Sequence, residues 1–424
     1  MVTGLVAALA VVVAPFIAAN EIALTGGVLL AFGFGWALLA LLSVRFSDQP
    51  QWWAAAPAVF FGLVGGLMLA WPSGFVLEIL GWVWPPALLG LVVVMIIGAH
   101  RRLRSRTRQW LVYPLLAVLT LAALGGGYET VRESIDASAH PMAGQLIDVG
   151  GRRLHLQCAG SGSPTVVLEP GLGEASYVMG WITPAVAADS RVCVYDRAGR
   201  GWSDSADSPL DGAQIAADLH TLLDRAHVPG PYVLAGHSFG GLYILTFAAH
   251  YPDEVAGMVL LDSTSPNGSI QATSTEPGSY DLSARFLALL PAAAHLGLAR
   301  LVSHGTYGSL PPPSRGEARA TAATARDVKS FIDELISSPK SIQQAASLVD
   351  FGDKPLIVVT AGRGHDAQWM AAQDKLVMLS TNSQHRVVHD ATHGSLVLIS
   401  TDAAAATDAI REVVASVRNS RPLH

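Results

Sequence analysis

Long apolar stretches before residue 127 constrain this chain more than any other feature of its sequence. A helix needs about 20 mostly apolar residues to cross the roughly 30 Å hydrocarbon layer of a bilayer. None of these stretches has the polar face that a soluble surface helix needs. Residues 1–127 are therefore predicted to form a bundle of about five transmembrane helices. The stretches cover Gly4–Ala19, Ala23–Val44, Trp53–Trp71, Phe75–Gly98 and Trp110–Gly126.

The first stretch differs from the other four. It is shorter and contains Pro15, whereas the other four meet the length rule within its usual scatter. A cleaved signal peptide would explain only this stretch, which also lacks the basic residues that begin such a signal. The membrane interpretation therefore does not depend on it.

Arginines in the short loops predict how the bundle is oriented. Five arginines lie within residues 101–108, between the fourth and fifth stretches, and Arg45 lies between the second and third. The loops near Asn20 and Pro72–Gly74 contain no Lys or Arg. Positively charged loops stay in the cytoplasm. The chain that follows the bundle is thus expected on the outer face of the cell membrane, whether or not the first stretch crosses.

The distribution of charge argues against two classes of function. The net charge is only −6 and no Lys/Arg-rich tract follows the bundle, so nucleic acid is not expected as a partner. A transporter usually has paired broken helices and charges near the midplane. Glu78, in the first turn of the fourth stretch, is the one charge within a span. The bundle is therefore interpreted as an anchor or a partner-binding unit.

From about Gly144 the sequence alternates short β-rich runs with helical segments. Leu146–Val149 and Arg153–Gln157 predict an opening hairpin that turns at Gly150–Gly151. The alternation that follows predicts a mostly parallel sheet covered by helices on both faces. The later strand candidates are Thr165–Leu168, Arg191–Tyr195, Tyr232–Ala235, Met258–Leu261, Leu356–Thr360 and His385–Val388.

The motif GHSFG at residues 236–240 lies directly between a predicted strand and a predicted helix. In a G-x-S-x-G nucleophile elbow the serine sits on a strained turn, and glycines allow close backbone approach on either side. The bare motif recurs by chance in a chain rich in Gly and Ala, and an ordinary Gly-rich turn is the alternative. The strand before it and the helix after it favour Ser238 as a nucleophile.

These features resemble the α/β-hydrolase superfamily over about residues 144–418. Tyr195–Asp204 is similar to the family's D-x-R-G-x-G-x-S segment after the fourth strand, and Glu169–Gly173 lies where the family has its oxyanion loop. His393 follows the last predicted strand, where the family has its catalytic histidine. The resemblance implies an α/β-hydrolase fold with Ser238 as nucleophile and His393 as general base.

The oxyanion loop departs from the family pattern at one position. Pro170 stands where the family usually has a histidine. The donors of an oxyanion hole are backbone N–H groups, so this change should be tolerated. By position, the resemblance assigns the donors to the amides of Leu172 and Phe239, and each such donor typically accounts for about 10²–10³ in rate.

The catalytic acid has two candidates. Asp262 ends the sixth strand, a position that some dehalogenase-like members of the superfamily use. Asp366 follows the seventh strand, about two residues later than the usual spacing in the family. Asp262 is slightly favoured, and Asp366 stays open as the alternative.

No metal site and no cofactor are predicted. His385, His389 and His393 are spaced by four residues, which on a helix could bind a metal. Their segment is predicted to be strand and then loop, where that spacing does not converge.

The chain contains two cysteines, Cys158 and Cys193. They are predicted on the second and fourth strands, which in this fold are usually antiparallel neighbours. A disulfide would suit the outward orientation, and a buried thiol is the alternative. The sequence leaves both open because strand register cannot be read from it.

Residues 263–348 separate the sixth and seventh strands, where the family inserts its lid. Apolar runs such as Phe286–Ala294 and Leu296–Val302 suit a lipophilic substrate, unless they only pack the lid onto the body. The predicted domains are a bundle at 1–127, a linker at 128–143 and a hydrolase domain at 144–424.

The sequence therefore predicts a membrane-anchored serine hydrolase that cleaves an ester or related acyl bond through an acyl-enzyme. Its expected partners are a small-molecule acyl substrate and the lipid bilayer. A serine nucleophile disfavours alkyl halides and epoxides, whereas amides, lactones and thioesters stay open. The alternative is a catalytically silent binding or sensing module, against which the intact Ser238 and His393 argue.

Overall fold

A computed structural model of the protein describes residues 2–102, 106–266 and 281–423. The chain divides into two compact units. The first contains Met1–Ile135 and Thr275–Leu301, and the second contains Asp136–Ser274 and Val302–His424. Part of the predicted lid thus belongs to the first unit, although the domain prediction assigned all of it to the hydrolase domain.

The first unit begins with five apolar helices. Four of them, α2 to α5, are long and apolar enough to cross a membrane, which indicates membrane association. The prediction of about five spans is corrected, because α1 contains only 12 residues and ends two residues before Pro15. Residues before a proline disfavour helical geometry. The helices are α1 Val2–Val13, α2 Glu21–Phe46, α3 Ala55–Ala70, α4 Gly74–Arg102 and α5 Arg106–Ala139.

Most of the predicted linker at 128–143 is helical. Helix α5 continues through it to Ala139. The segment from Tyr128 to Ala139 contains no Gly or Pro that would interrupt a helix, whereas Pro141 follows shortly after its end. The composition of the linker therefore favoured helix.

The second unit is built on an eight-stranded sheet in the order β1-β2-β4-β3-β5-β6-β7-β8. β2 is antiparallel to both of its neighbours, and β3 to β8 pair in parallel. Each predicted strand is present. The strands are β1 Gln145–Asp148, β2 Arg153–Ala159, β3 Thr165–Glu169, β4 Val192–Tyr195, β5 Tyr232–His237, β6 Val255–Leu261, β7 Leu356–Arg363 and β8 Ser383–Thr392.

Helices separate the strands and cover both faces of the sheet. Along β3, Val167 packs into one hydrophobic core and Val166 and Leu168 pack into the other, as alternation along a strand requires. The later helices are α6 Ile182–Ala187, α7 Gly212–Arg225, α8 Gly240–His250, α9 Leu282–Leu287, α10 Leu290–Ala294, α11 Leu298–Thr306, α12 Pro312–Thr321, α13 Ala325–Ala345, α14 Ala367–Val377, α15 Ser395–Leu398 and α16 Ser400–Asn419.

The two cysteines form a disulfide. Cys158 on β2 and Cys193 on β4 are direct register partners in the antiparallel pair, and their Cα atoms lie 4.0 Å apart. The register that the sequence left open therefore brings the two thiols together across the sheet.

Candidate active site

The turn from β5 to α8 holds Ser238 in a backbone conformation that side chains rarely adopt. Its φ is +53°, in the left-handed region. Gly236 and Gly240, which flank the serine, lie where no side chain would fit. A Cβ at Gly236 would lie 2.7 Å from backbone atoms of Gly240, and one at Gly240 would lie 2.3 Å from the carbonyl oxygen of Glu169. The turn therefore has the geometry that the G-x-S-x-G motif predicts.

Three predicted site residues meet at the carboxyl end of the sheet. The Nε2 atom of His393 lies 2.9 Å from the Oγ atom of Ser238. The Nδ1 atom of the same ring lies 2.6 Å from Oδ2 of Asp262. Ser238 is half-buried and the His393 side chain is 39% exposed, so the pair is partly open to solvent. Chemically, this arrangement can transfer the hydroxyl proton to the imidazole.

Asp262 is fully buried, and hydrogen bonds surround its carboxylate. Oδ1 accepts from the indole Nε1 of Trp369 at 3.0 Å and from the amide of Ala361 at 3.2 Å. Nε2 of His365 lies 2.6 Å from Oδ2. Burial acts to raise the pKa of Asp262, but the hydrogen bond and charge of His393 outweigh it, with help from Trp369 and His365, so the pKa lies below its usual range. The carboxylate is thereby held ionised.

The alternative acid, Asp366, has a different role. Its side chain caps the N-terminus of α14 by accepting a hydrogen bond from the amide of Trp369 at 2.8 Å. It is Asp262, and not Asp366, that contacts His393.

The two predicted oxyanion donors, the amides of Leu172 and Phe239, belong to segments that lie close to Ser238. The amide of Phe239 follows Ser238 directly, and Leu172 follows Gly171, where an added Cβ would lie 3.1 Å from Cβ of Ser238. Within the described ranges, neither amide donates to a protein acceptor. Both are therefore available to an oxygen atom of a substrate.

Side chains that the sequence did not single out hold the oxyanion loop. Glu174 accepts from the amide of Gly171 at 2.7 Å, and its carboxylate lies 3.0 Å from Nδ1 of His237. Burial acts to lower the pKa of His237, but the charge of Glu174 beside it raises the pKa above its usual value. His237 also lies 3.1 Å from the carbonyl oxygen of His393. This pair thus links the loop at Gly171 to the backbone of His393.

A second buried cluster fixes the same loop from the other side. Arg197 donates to the carbonyl oxygen of Gly171 at 2.6 Å and forms ion pairs with Glu169 and Glu334 at 2.7 and 2.8 Å. Glu334, on α13, also accepts from the amide of Gly173 at 2.8 Å. Burial raises the pKa of Glu169 to about 7, although Arg197 opposes it. Both residues that flank Leu172 are therefore tied to buried side chains.

The site also contains a set of side chains that could hold a metal. Ligand atoms of Asp262, His365 and His393 lie within 4.8 Å of one another. The hydrogen bonds described above already join Asp262 to both rings. His385, from the set of histidines spaced by four residues, contacts Asp374 and Thr360.

Comparisons with known proteins identify the fold. Residues 164–308 match the family model described as alpha/beta hydrolase fold. The crystal structure of the Cif epoxide hydrolase from Acinetobacter nosocomialis aligns with a TM-score of 0.53 and 15% identity, over 68% of this chain and 96% of that one. At this identity the likeness concerns the fold alone.

Two curated relatives are similar over part of the chain. An uncharacterized protein of Schizosaccharomyces pombe is 30% identical over 276 residues, 57% of this chain and 50% of that protein. An uncharacterized vacuolar membrane protein of Saccharomyces cerevisiae is 35% identical over 104 residues, 24% of this chain and 16% of that protein. This chain thus spans half or less of the length of these relatives. The comparisons and the sheet order show an α/β-hydrolase fold preceded by apolar helices.

Proposed function

We propose that this protein is a serine hydrolase, whose α/β-hydrolase fold carries the site that cleaves an ester or related acyl bond. The observation that carries the proposal is the continuous chain of short contacts from Ser238 through His393 to the buried Asp262. The likeness in fold to an epoxide hydrolase supports a hydrolase in general.

In the proposed reaction, Ser238 attacks the carbonyl carbon while its proton moves to Nε2 of His393. The negative charge that develops on the carbonyl oxygen is stabilised by the amides of Leu172 and Phe239. His393 then returns its proton to the leaving group, and an acyl-enzyme stays on Ser238. Water attacks this ester with His393 again as base, which releases the acid and restores the serine.

The proposed location is the outer face of the cell membrane. The arginine-rich loops of the bundle and the disulfide between Cys158 and Cys193 support this orientation, since disulfides persist in oxidising compartments. The proposed partners are an acyl substrate and the bilayer that holds α2 to α5.

The substrate class is proposed to be lipophilic, and a chain-length series tests it. The full chain in detergent micelles would be assayed on p-nitrophenyl esters from acetate to palmitate, with Ser238→Ala as control. The expected result is a kcat/KM that rises with acyl length and is lost in the variant. Equal activity on acetate and palmitate esters would contradict a lipophilic substrate. Activity that persists in Ser238→Ala would contradict Ser238 as the nucleophile.

A further inference from the structure

The first unit contains an apolar, partly open cavity of about 740 Å³. Sites for small ligands commonly measure about 300–1,000 Å³. Side chains from each of α1 to α5 line it, together with residues at the end of α10. The cavity therefore belongs to the bundle and to the segment that packs on it, and it contains none of the residues of the proposed triad.

One continuous face of each long helix lines the cavity. On α5 the lining residues Leu115, Leu119, Ala122 and Gly126 follow one another at spacings of three and four residues. The same spacing joins Leu77, Gly81, Trp84 and Leu88 on α4.

The lining of the cavity extends to the start of α2. It runs over residues 21–36 of α2, 77–88 of α4 and 115–126 of α5. The start of α4 lies beside the end of α5, where the hydroxyl group of Thr130 donates to the carbonyl oxygen of Gly81 at 3.0 Å. The cavity therefore reaches from the interior of the bundle toward the end at which α2 and α4 begin.

Polar groups collect at that end. Glu21, Thr25 and His295 line the cavity. The Glu21 carboxylate lies 3.6 Å from Nε2 of His295. Among the described residues, the buried hydroxyl oxygen of Thr25 has no hydrogen-bond partner. A buried polar atom without a partner is destabilising, so a ligand that supplies a partner would be stabilised here.

Buried contacts fix the segment that closes this end. Arg300 forms an ion pair with the buried Glu129 at 2.7 Å. Arg285 donates to the carbonyl oxygens of Val12 and Ile17. At Gly125 an added Cβ would lie 2.5 Å from the carbonyl oxygen of Leu296. The segment from α9 to α11 is thus packed closely against the ends of α1 and α5. In the chain this segment lies between β6 and β7.

We propose that this cavity binds the acyl chain of a neutral lipid or ester, with its hydroxyl- or ester-bearing head at Glu21, Thr25 and His295. The apolar lining suits one long hydrocarbon chain, since the burial of each CH₂ group is favourable. The Glu21 carboxylate can accept from a head-group hydroxyl but repels a free fatty-acid carboxylate. This binding site does not depend on the proposed hydrolysis.

Photocrosslinking to the full chain in nanodiscs tests the site. The probe is a monoacylglycerol with a diazirine in its chain, used on the Ser238→Ala background so that hydrolysis cannot consume it. Ala122→Trp fills the cavity, and Ala117→Trp places the same side chain on the exposed face of the same helix. We expect adducts on the lining faces of α2, α4 and α5 that fall at least tenfold in Ala122→Trp and stay unchanged in Ala117→Trp. Adducts of equal yield in both variants, spread over outward faces, would overturn the site as ordinary lipid contact.

A second variant and a competition complete the test. Gly81→Leu also fills the cavity, and its Cβ has room because the nearest atom, Oγ1 of Thr130, would lie 3.5 Å away. If Ala122→Trp fails to fold, the same tenfold loss is expected in Gly81→Leu, and full labelling there contradicts the proposal. Unlabelled monoolein should compete at least tenfold better than oleate at pH 8. Equal competition would overturn the assignment of the head group.

Discussion

Asp262 shows how one buried carboxylate can organise several side chains. It lies in the left-handed region, with φ at +45°, and this turn of the backbone follows directly after β6. Its two oxygens contact two imidazole rings, an indole and a backbone amide. Since each of these groups can donate to the ionised form, the arrangement favours a permanent negative charge behind His393.

Replacing Asp262 should therefore affect the rate far more than the binding of substrate. In Asp262→Asn the imidazole loses the partner that sets its tautomer, and kcat is expected to fall by about 10⁴, as in other triads. Steady-state ester hydrolysis by the full chain measures this effect.

Asp366→Asn is the matched control for this prediction. Asparagine caps helices about as well as aspartate, so the N-terminus of α14 should be preserved and kcat should change less than twofold. A large loss in Asp366→Asn with little loss in Asp262→Asn would reverse the assignment of the acid.

The pair of His237 and Glu174 predicts a pH-dependent stability. The folded pKa of His237 is raised above its unfolded value of about 6.5. The stabilisation is therefore fully present below pH 6.5 and is lost as pH rises through the folded pKa. The unfolding midpoint of the full chain should exceed that of His237→Gln most at pH 6, and the difference should shrink toward pH 10.

Glu174→Gln is the control for this pair, because it keeps the side-chain shape and removes the charge. It should flatten the pH dependence in the same way as His237→Gln. A difference between wild type and either variant that stays constant from pH 6 to pH 10 would exclude the ion pair as its source.

At the scale of elements, the sequence predicted most of the second unit and less of the first. Short β-branched runs located each strand, and the strand and helix around Ser238 located the elbow. The contacts of Trp369 and Glu334 with the site could not be predicted, because they join segments more than 100 residues apart that only the folded chain brings together.

The sequence predictions failed where tertiary packing, rather than the local sequence pattern, determines the structure. Apolar composition predicted a span near the N-terminus, but α1 is too short for one. Residues 263–348 were predicted to form a lid of the hydrolase domain because they separate its sixth and seventh strands. Arg285 on α9 donates to the carbonyl oxygen of Ile17, and Arg300 on α11 forms an ion pair with Glu129 on α5. Both contacts join segments more than 100 residues apart.

The disulfide is an element-scale constraint that joins β2 to β4. It closes a loop with a sequence separation of 35 residues, for which chain entropy accounts for about 2–4 kcal/mol. The Cys158→Ser/Cys193→Ser variant should therefore unfold at a lower denaturant concentration than wild type under non-reducing conditions. Equal midpoints, or a wild type that is unaffected by its own reduction, would show that the bridge does not stabilise the sheet.

At the scale of the whole molecule, the loops of the bundle predict on which side the hydrolase fold lies. Arg45 lies at the end of α2, and the arginines within residues 101–108 lie where α4 ends and α5 begins, so the positive-inside rule predicts that these helix ends face the cytoplasm. The end of α5 and the hydrolase fold that follows it are then predicted outside. A C-terminal tag should be removed by protease added to intact bacterial spheroplasts. Protection of the tag until the membrane is lysed would contradict this topology.

Ser238 is proposed to be an activated nucleophile, and labelling of membranes with a fluorophosphonate probe measures this activation. Three full-length proteins would be compared: wild type, Ser238→Ala, and Ser208→Ala as an exposed serine control. We expect equal labelling of wild type and Ser208→Ala and none of Ser238→Ala. Unlabelled but folded wild type, or labelling that survives in Ser238→Ala, would show that Ser238 is not an activated nucleophile.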